Sequence, residues 1–326
     1  MDSSKSVLPE IEMIEAFAKR HSDIVELETL GTIEYGANSY PVHALKIGAS
    51  DKSLPTFCVT GGVHGLERIG SQVILSYLNV LDQRLRWDAD FREQLKTRRV
   101  LTVPMVNPWG VAHKRRSNQN GVDLMRNAPI DADNATWLVG GHRHTPKLPW
   151  YRGPEGKGLE KENQLLIDFL MRETKDAPVT IALDMHSGFG LKDQIWYPYA
   201  YSSKKDFPHL EEFGNLKTLF EDTYPHHVYK IEPQSAIYTT HGDIWDYMIL
   251  EKRKRQDPGV FIPITLELGS WSWVKKNPIQ IFSLFGHFNP IKAHRYSRVM
   301  RRHVYLYDFL FRAVKNHKAW TSKVDK

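Results

Sequence analysis

The chain has 326 residues, 44 Lys and Arg against 38 Asp and Glu, and a single cysteine. That length can bury a large core, and 41% hydrophobic with 25% charged residues is globular composition, which excludes a disordered or low-complexity polymer. One cysteine, Cys58, excludes an internal disulfide framework, and no run reaches the roughly 18 apolar residues of a membrane span. The N-terminal stretch lacks the apolar core of a secretion signal, so a soluble, cytoplasmic protein with no membrane partner is expected. The net charge of +6 reads as scattered. Its denser runs, 252–255 and 301–302, fall on predicted helix surfaces, so no nucleic-acid partner is expected.

Residues 9–20 have the spacing of an amphipathic helix, and 24–33 and 40–47 read as strands. The stretch 54–81 organises the rest of the chain. Phe57, Cys58 and Val59 make a buried strand, with Cys58 a small core residue; Gly61 and Gly62 break it. His64 and Glu67 come next, and then Leu66, Ile69, Val73, Tyr77 and Val80 recur at helical spacing. A short basic helix over 91–99 and a strand over 100–106 lead to the turn at Asn107 and Pro108. Residues 127–157, rich in Gly, Pro and His, read as a long loop that packs down through Trp137, Trp150 and Tyr151. Helices are predicted over 159–174, 209–224 and 242–253, strands over 179–185, 194–199, 228–231 and 261–268, and one closing helix over 290–314. With no linker or repeat, residues 1–326 read as one domain: a three-layer α/β/α fold with a mixed, largely parallel sheet.

The ends of the core strands carry the chemistry. An H-x-x-E pair alone is unspecific, but His64 and Glu67 follow a buried strand, where α/β sheets build their sites. His186 follows another such strand and completes a His₂Glu set, which holds a catalytic zinc and leaves a position open. Glu267 ends a further strand between Leu266 and Leu268, an apolar setting that raises a carboxyl pKa and suits a general base. Arg116 and Arg126 flank an Asn- and Gly-rich turn and could grip a carboxylate and a polarised carbonyl. Asp123 between them could accept the free ring N–H of a zinc histidine.

In this order the residues resemble the zinc carboxypeptidases, the funnelin fold of an eight-stranded mixed sheet with helices on both sides. The family's H-x-x-E is His64 to Glu67 and its D-x-H is Asp184, Met185 and His186. Its N-P-D-G turn is Asn107, Pro108, Trp109 and Gly110, and its arginine-rich run spans Arg116 to Arg126. Tyr151 to Pro154 match its Y-x-G-P element, Glu267 its catalytic glutamate and Tyr238 its mobile tyrosine, so the likeness covers about residues 54–270. The resemblance implies one zinc per chain on His64, Glu67 and His186, with Glu267 as general base and Arg116 beside the developing oxyanion. It implies further that Arg126 binds the substrate's free carboxylate and that Tyr238 closes over it. Asp243 and Trp245 are candidate side-chain-pocket residues, and Trp271 and Trp273 candidate cleft walls. One departure matters: the asparagine that shares carboxylate binding in the family is Met125 here. The sequences TLELG and FGHFN are also similar to the aspartoacylase and succinylglutamate desuccinylase branch, whose members cleave N-acyl amino acids. The implied substrate is therefore a peptide, or alternatively an N-acyl amino acid, with a free carboxylate. The third reading is a zinc-free binding protein on the same scaffold.

Overall fold

The computed structural model describes residues 8–188 and 190–321. Its strands are β1 (Val25–Tyr35), β2 (Asn38–Gly48), β3 (Thr56–Gly61), β4 (Arg99–Val103), β5 (Val179–Gly188), β6 (Gln194–Tyr197), β7 (Lys230–Pro233) and β8 (Val260–Gly269). They form one sheet in the order β1-β2-β4-β3-β5-β8-β6-β7. The inner strands β4, β3, β5 and β8 run parallel, whereas β1–β2, β2–β4 and β8–β6 pair antiparallel. This is the mixed, mostly parallel α/β fold that the sequence leads one to expect. Every residue of β3 and β4 is buried, as parallel strands covered on both faces must be.

The helices used below are α1 (Pro9–Arg20), α2 (Arg68–Trp87), α3 (Ala89–Leu95), α4 (Pro108–His113), α5 (Lys161–Glu173), α6 (Leu210–Thr223), α7 (Ile244–Arg255), α8 (Trp271–Lys276), α9 (Leu284–Phe288), α10 (Ala293–Arg302) and α11 (Val304–Lys315). Helices α2 and α11 pack against β3 and β5, with the Tyr307 ring 4.5 Å from Tyr77 and 6.2 Å from Phe57. Cys58 lies fully within this core, where burial pushes its thiol up to about 12; it is inert.

Several boundaries differ from the expected ones, and at four of them a polar side chain overrides periodicity. The helix expected over 290–314 breaks at His303, which turns inward and meets the Tyr229 hydroxyl through Nδ1 at 2.9 Å. The helix expected over 91–99 ends at Leu95. Arg98 instead donates to the Phe311 carbonyl at 2.9 Å, and Arg99, the first residue of β4, donates to the Glu173 carbonyl at 2.7 Å. The helix expected from 242 starts at Ile244, because the Asp243 carboxylate accepts the N–H groups of Trp245 and Asp246 at 2.9 and 3.0 Å. The strand expected over 100–106 stops at Val103, and Asn107 caps α4 by accepting the Gly110 N–H at 2.8 Å.

Candidate active site

The carboxyl ends of β3, β5 and β8 converge on one spot. Past β3 the chain turns tightly, with the Glu67 N–H on the His64 carbonyl at 3.0 Å, before α2 begins at Arg68. Gly65 in this turn presses against the α4 turn: a Cβ on it would stand 1.9 Å from the Gly110 carbonyl carbon. The Asn107 amide ties the two together by donating to the Val63 and Ser117 carbonyls at 3.3 and 3.2 Å. His186 is one strand away on β5, and its register partner on β8 is Glu267.

Within this group, His64 Nδ1 is 3.0 Å from Glu67 Oε1, and His186 Nδ1 is 3.1 Å from Glu67 Oε2. Both far nitrogens are already committed. His64 Nε2 lies 2.9 Å from Asp123, and His186 Nε2 lies 2.9 Å from Asp184. A carboxylate only accepts, so a ring nitrogen that faces one needs a proton or a cation beside it. Asp123 and Asp184 hold the proton on each Nε2, and the two Nδ1 atoms facing Glu67 either carry protons as well or share a bound cation with it. The ligand atoms of His64, Glu67 and His186 all lie within 4.8 Å of one another, and two nitrogens with a carboxylate suit zinc. The donor set therefore fits the metal that the resemblance implies.

The electrostatics agree. Burial alone would raise the Glu67 carboxyl, but the His64 and His186 imidazoles hold it well below the usual carboxylate range. The Ser187 N–H adds a hydrogen bond to Glu67 Oε2 at 2.9 Å. Burial likewise opposes the charge of Asp123, yet Arg116 and His64 keep it ionised. Asp184 accepts from the Thr60 hydroxyl and the Trp245 indole N–H, both at 2.9 Å. The role of Asp184 escapes the sequence reading, although its signal was there: positions i and i+2 of a strand share a face, so a D-x-H places the carboxylate beside the ring.

The triad opens into a cleft of about 660 Å³ whose lining includes Arg116, Met125, Arg126, Tyr238 and Glu267. Arg116 donates to Glu67 and Asp123, each at 2.9 Å. Arg126 is 3% exposed and gives its Nε and Nη1 to the Val139 and Met125 carbonyls, both at 3.1 Å. Among the described residues no carboxylate pairs with it. Tyr238 stands over this guanidinium, its ring centroid 5.9 Å from Cζ. Burial pushes the Glu267 carboxyl up to about 8, and the Glu67 charge adds to the rise.

Not every expected residue faces the cleft. Asp243 caps α7 and the Trp245 indole donates to Asp184; both are buried and stand outside the main cleft, lining a small cavity behind Trp196 and Gln234. The residues that line the cleft there are Gln194 and Trp196 of β6, opposite Glu267 and Thr265 of β8. Trp150 walls the cleft, but Trp137 is 84% exposed, and Trp273 is packed in the interior.

Gly188 is part of the same construction. A Cβ there would stand 2.1 Å from Glu267 Oε1, so only glycine leaves the carboxylate in place. Gly188→Ala should lower turnover by at least about tenfold through misplacement of Glu267 while zinc content is unchanged. Steady-state rates alongside metal analysis of the variant check both halves.

Comparison with known proteins agrees with this arrangement. The zinc carboxypeptidase family model matches residues 10–280, and the chain belongs to that family, a class of zinc metallopeptidases. It is 28% identical over 116 residues to carboxypeptidase SOL1 of Arabidopsis thaliana, covering 35% of this chain and 23% of that protein. It is 27% identical over 134 residues to carboxypeptidase M of Mus musculus, covering 37% and 30%. The matched segment thus spans less than a third of either relative. In fold it is similar to bovine thrombin-activatable fibrinolysis inhibitor in complex with tick carboxypeptidase inhibitor: TM-score 0.66, 19% identity, 94% of this chain and 95% of that one. Carboxypeptidase A from Helicoverpa armigera gives TM-score 0.61 at 17% identity over 99% and 78%.

Proposed function

We propose that the protein is a zinc-dependent carboxypeptidase that hydrolyses the last peptide or isopeptide-like amide bond of a substrate with a free carboxylate. The observation that carries this reading is Arg126: a buried guanidinium that among the described residues has no carboxylate partner, lining the same cleft as the His64–Glu67–His186 group and Glu267. Buried charges are paired in stable proteins, so an unpaired one is suited to an anion that arrives with the ligand.

Each residue then has a task. A zinc ion held by His64, Glu67 and His186 supplies a Lewis acid that acidifies water and polarises a carbonyl. Glu267 takes a proton from the attacking water and delivers it to the leaving amine, for which a carboxyl pKa raised toward neutrality is matched. Arg116 lines the cleft beside Glu67 and stabilises the developing oxyanion. Arg126 fixes the terminal carboxylate, and Tyr238 covers it. Met125 adds apolar wall where the family has a second polar group, so Arg126 carries that recognition largely alone.

The test is a panel of short peptides and N-acyl amino acids given to zinc-loaded protein, with released products identified. Arg126→Ala should cut kcat/KM on substrates with a free carboxylate by at least about tenfold, given roughly 1.5–3 kcal/mol for a charge-assisted hydrogen bond. The variant should barely distinguish free from amidated ends. Release of acetate or succinate from N-acyl amino acids, with every peptide left intact, would instead make the protein a deacylase.

A further inference from the structure

Net charge on this chain is not scattered in the way its short basic runs suggest. Residues 268–307 hold seven Lys and Arg and no Asp or Glu, which exceeds the net +6 of the whole chain. Lys275 and Lys276 end α8, Lys292 precedes α10, and Arg298 and Arg301 lie on α10. All five are exposed, and none meets a carboxylate among the described residues. The Arg295 guanidinium donates to the Trp273 and Lys276 carbonyls at 2.8 and 3.1 Å, docking the start of α10 onto the end of α8. The cations at these two ends therefore form one collar.

Out of that collar stands an apolar projection. Ile279, Phe282, Leu284 and Ile291 are 76, 90, 63 and 54% exposed, a concentration of bare large side chains that a folded surface normally avoids. The projection is built, not loose. Buried Gln280 donates to the Gly286 and Asn289 carbonyls at 2.8 and 3.2 Å, folding the 3₁₀ turn Pro278–Phe282 back on α9. Asn289 anchors its base by donating to the Leu66 carbonyl at 2.8 Å and accepting the Ile69 N–H at 2.9 Å, on either side of Glu67. The helix α9 also borders the cleft, through Leu284 at its start and the buried Phe288 at its end.

We propose that this projection and its cationic collar form a peripheral docking surface for an anionic lipid bilayer, placing the mouth of the cleft at the membrane. Apolar tips enter the headgroup boundary while Lys and Arg around them meet lipid phosphates, the pairing that holds a protein on a membrane without a span. No helix among the described residues is long and apolar enough to cross one. The expectation of no membrane partner rests on the lack of an apolar span and of a secretion signal, and this surface needs neither. A second copy of the chain is the poorer occupant, because two cationic collars would repel. Nucleic acid would engage the collar and leave Phe282 and Ile279 without a role.

The experiment is co-sedimentation of the full chain with phosphatidylcholine vesicles, with and without phosphatidylserine. Binding should be at least about tenfold stronger with phosphatidylserine and should weaken as salt rises. A double Phe282→Glu, Ile279→Glu variant should lose at least about tenfold in partitioning, with its zinc content and thermal midpoint unchanged. Lys275→Glu with Lys276→Glu and Lys292→Glu should erase the preference for phosphatidylserine. Absence of binding to the anionic vesicles, or equal binding by the Phe282 and Ile279 double variant, overturns the proposal. So does a wild type that ignores vesicles but self-associates on a sizing column while the double variant is monomeric.

Discussion

Glu267→Gln should reduce turnover by at least about a hundredfold while the protein keeps its zinc, because the amide fills the same space and cannot take a proton. The loss is large because the site offers no substitute base. Glu67 is held ionised by two imidazoles, Asp123 and Asp184 are spent on the histidine Nε2 protons, and among the described residues Glu267 is the other carboxylate lining the cleft. The pH profile supplies a second readout. Burial, and then the Glu67 charge, push the Glu267 carboxyl up to about 8, and a cation on Glu67 cancels the second influence, so the acid limb of kcat/KM should lie below 8. The reactive form is the carboxylate, so kcat/KM rises with pH through this limb and falls as acid protonates Glu267. In Glu267→Gln that limb should vanish. Wild-type turnover in the variant would place the base elsewhere.

What the sequence disclosed and what it hid divide along a physical line. The parallel centre of the sheet was legible because β3, β4, β5 and β8 are buried on both faces and read as unbroken apolar runs. The metal set was legible because its members stand at the ends of those runs, where a strand gives way to a turn and the polar residue is conspicuous. Side chains that act through a hydrogen bond to a distant partner were not. Nothing local distinguishes an Asp243 that caps a helix from one that faces a pocket, and the distinction comes only when the Trp245 and Asp246 N–H groups are seen on its carboxylate. Trp245 is the same case, since its indole partner Asp184 lies 61 residues away. His303 broke a helix that its flanking apolar spacing supported, because its partner Tyr229 comes from another part of the chain. The cleft-lining residues Gln194 and Trp196 are hidden for a related reason: β6 pairs with β8 over only three residues, too short a strand for period alone to assign its faces.

The effect expected to be largest on the metal itself is that of His186→Ala. Purified wild type should carry about one zinc per chain, and the variant should bind it at least about a hundredfold more weakly, beyond the 10–100-fold typical of losing a ligand's hydrogen-bond partner. The fold should survive, because the strand behind His186 is held by apolar neighbours: Leu183 and Met185 are buried in the main core. Asp184 would lose one partner but keep the Thr60 hydroxyl and the Trp245 indole, so no buried carboxylate is stranded. Asp184→Asn separates the ligand from its support. It leaves His186 in place but removes the charge that orients it, so the loss of zinc affinity should be smaller, about 10–100-fold. Because zinc binds the folded chain through residues that only folding assembles, the thermal midpoint should rise with zinc concentration in the wild type. The rise should be reduced in Asp184→Asn and absent in His186→Ala. Metal content after dialysis against a graded chelator, read beside thermal unfolding with and without zinc, orders the three proteins. A His186→Ala protein that retains wild-type zinc would remove His186 from the ligand set and, with it, the proposed catalytic centre.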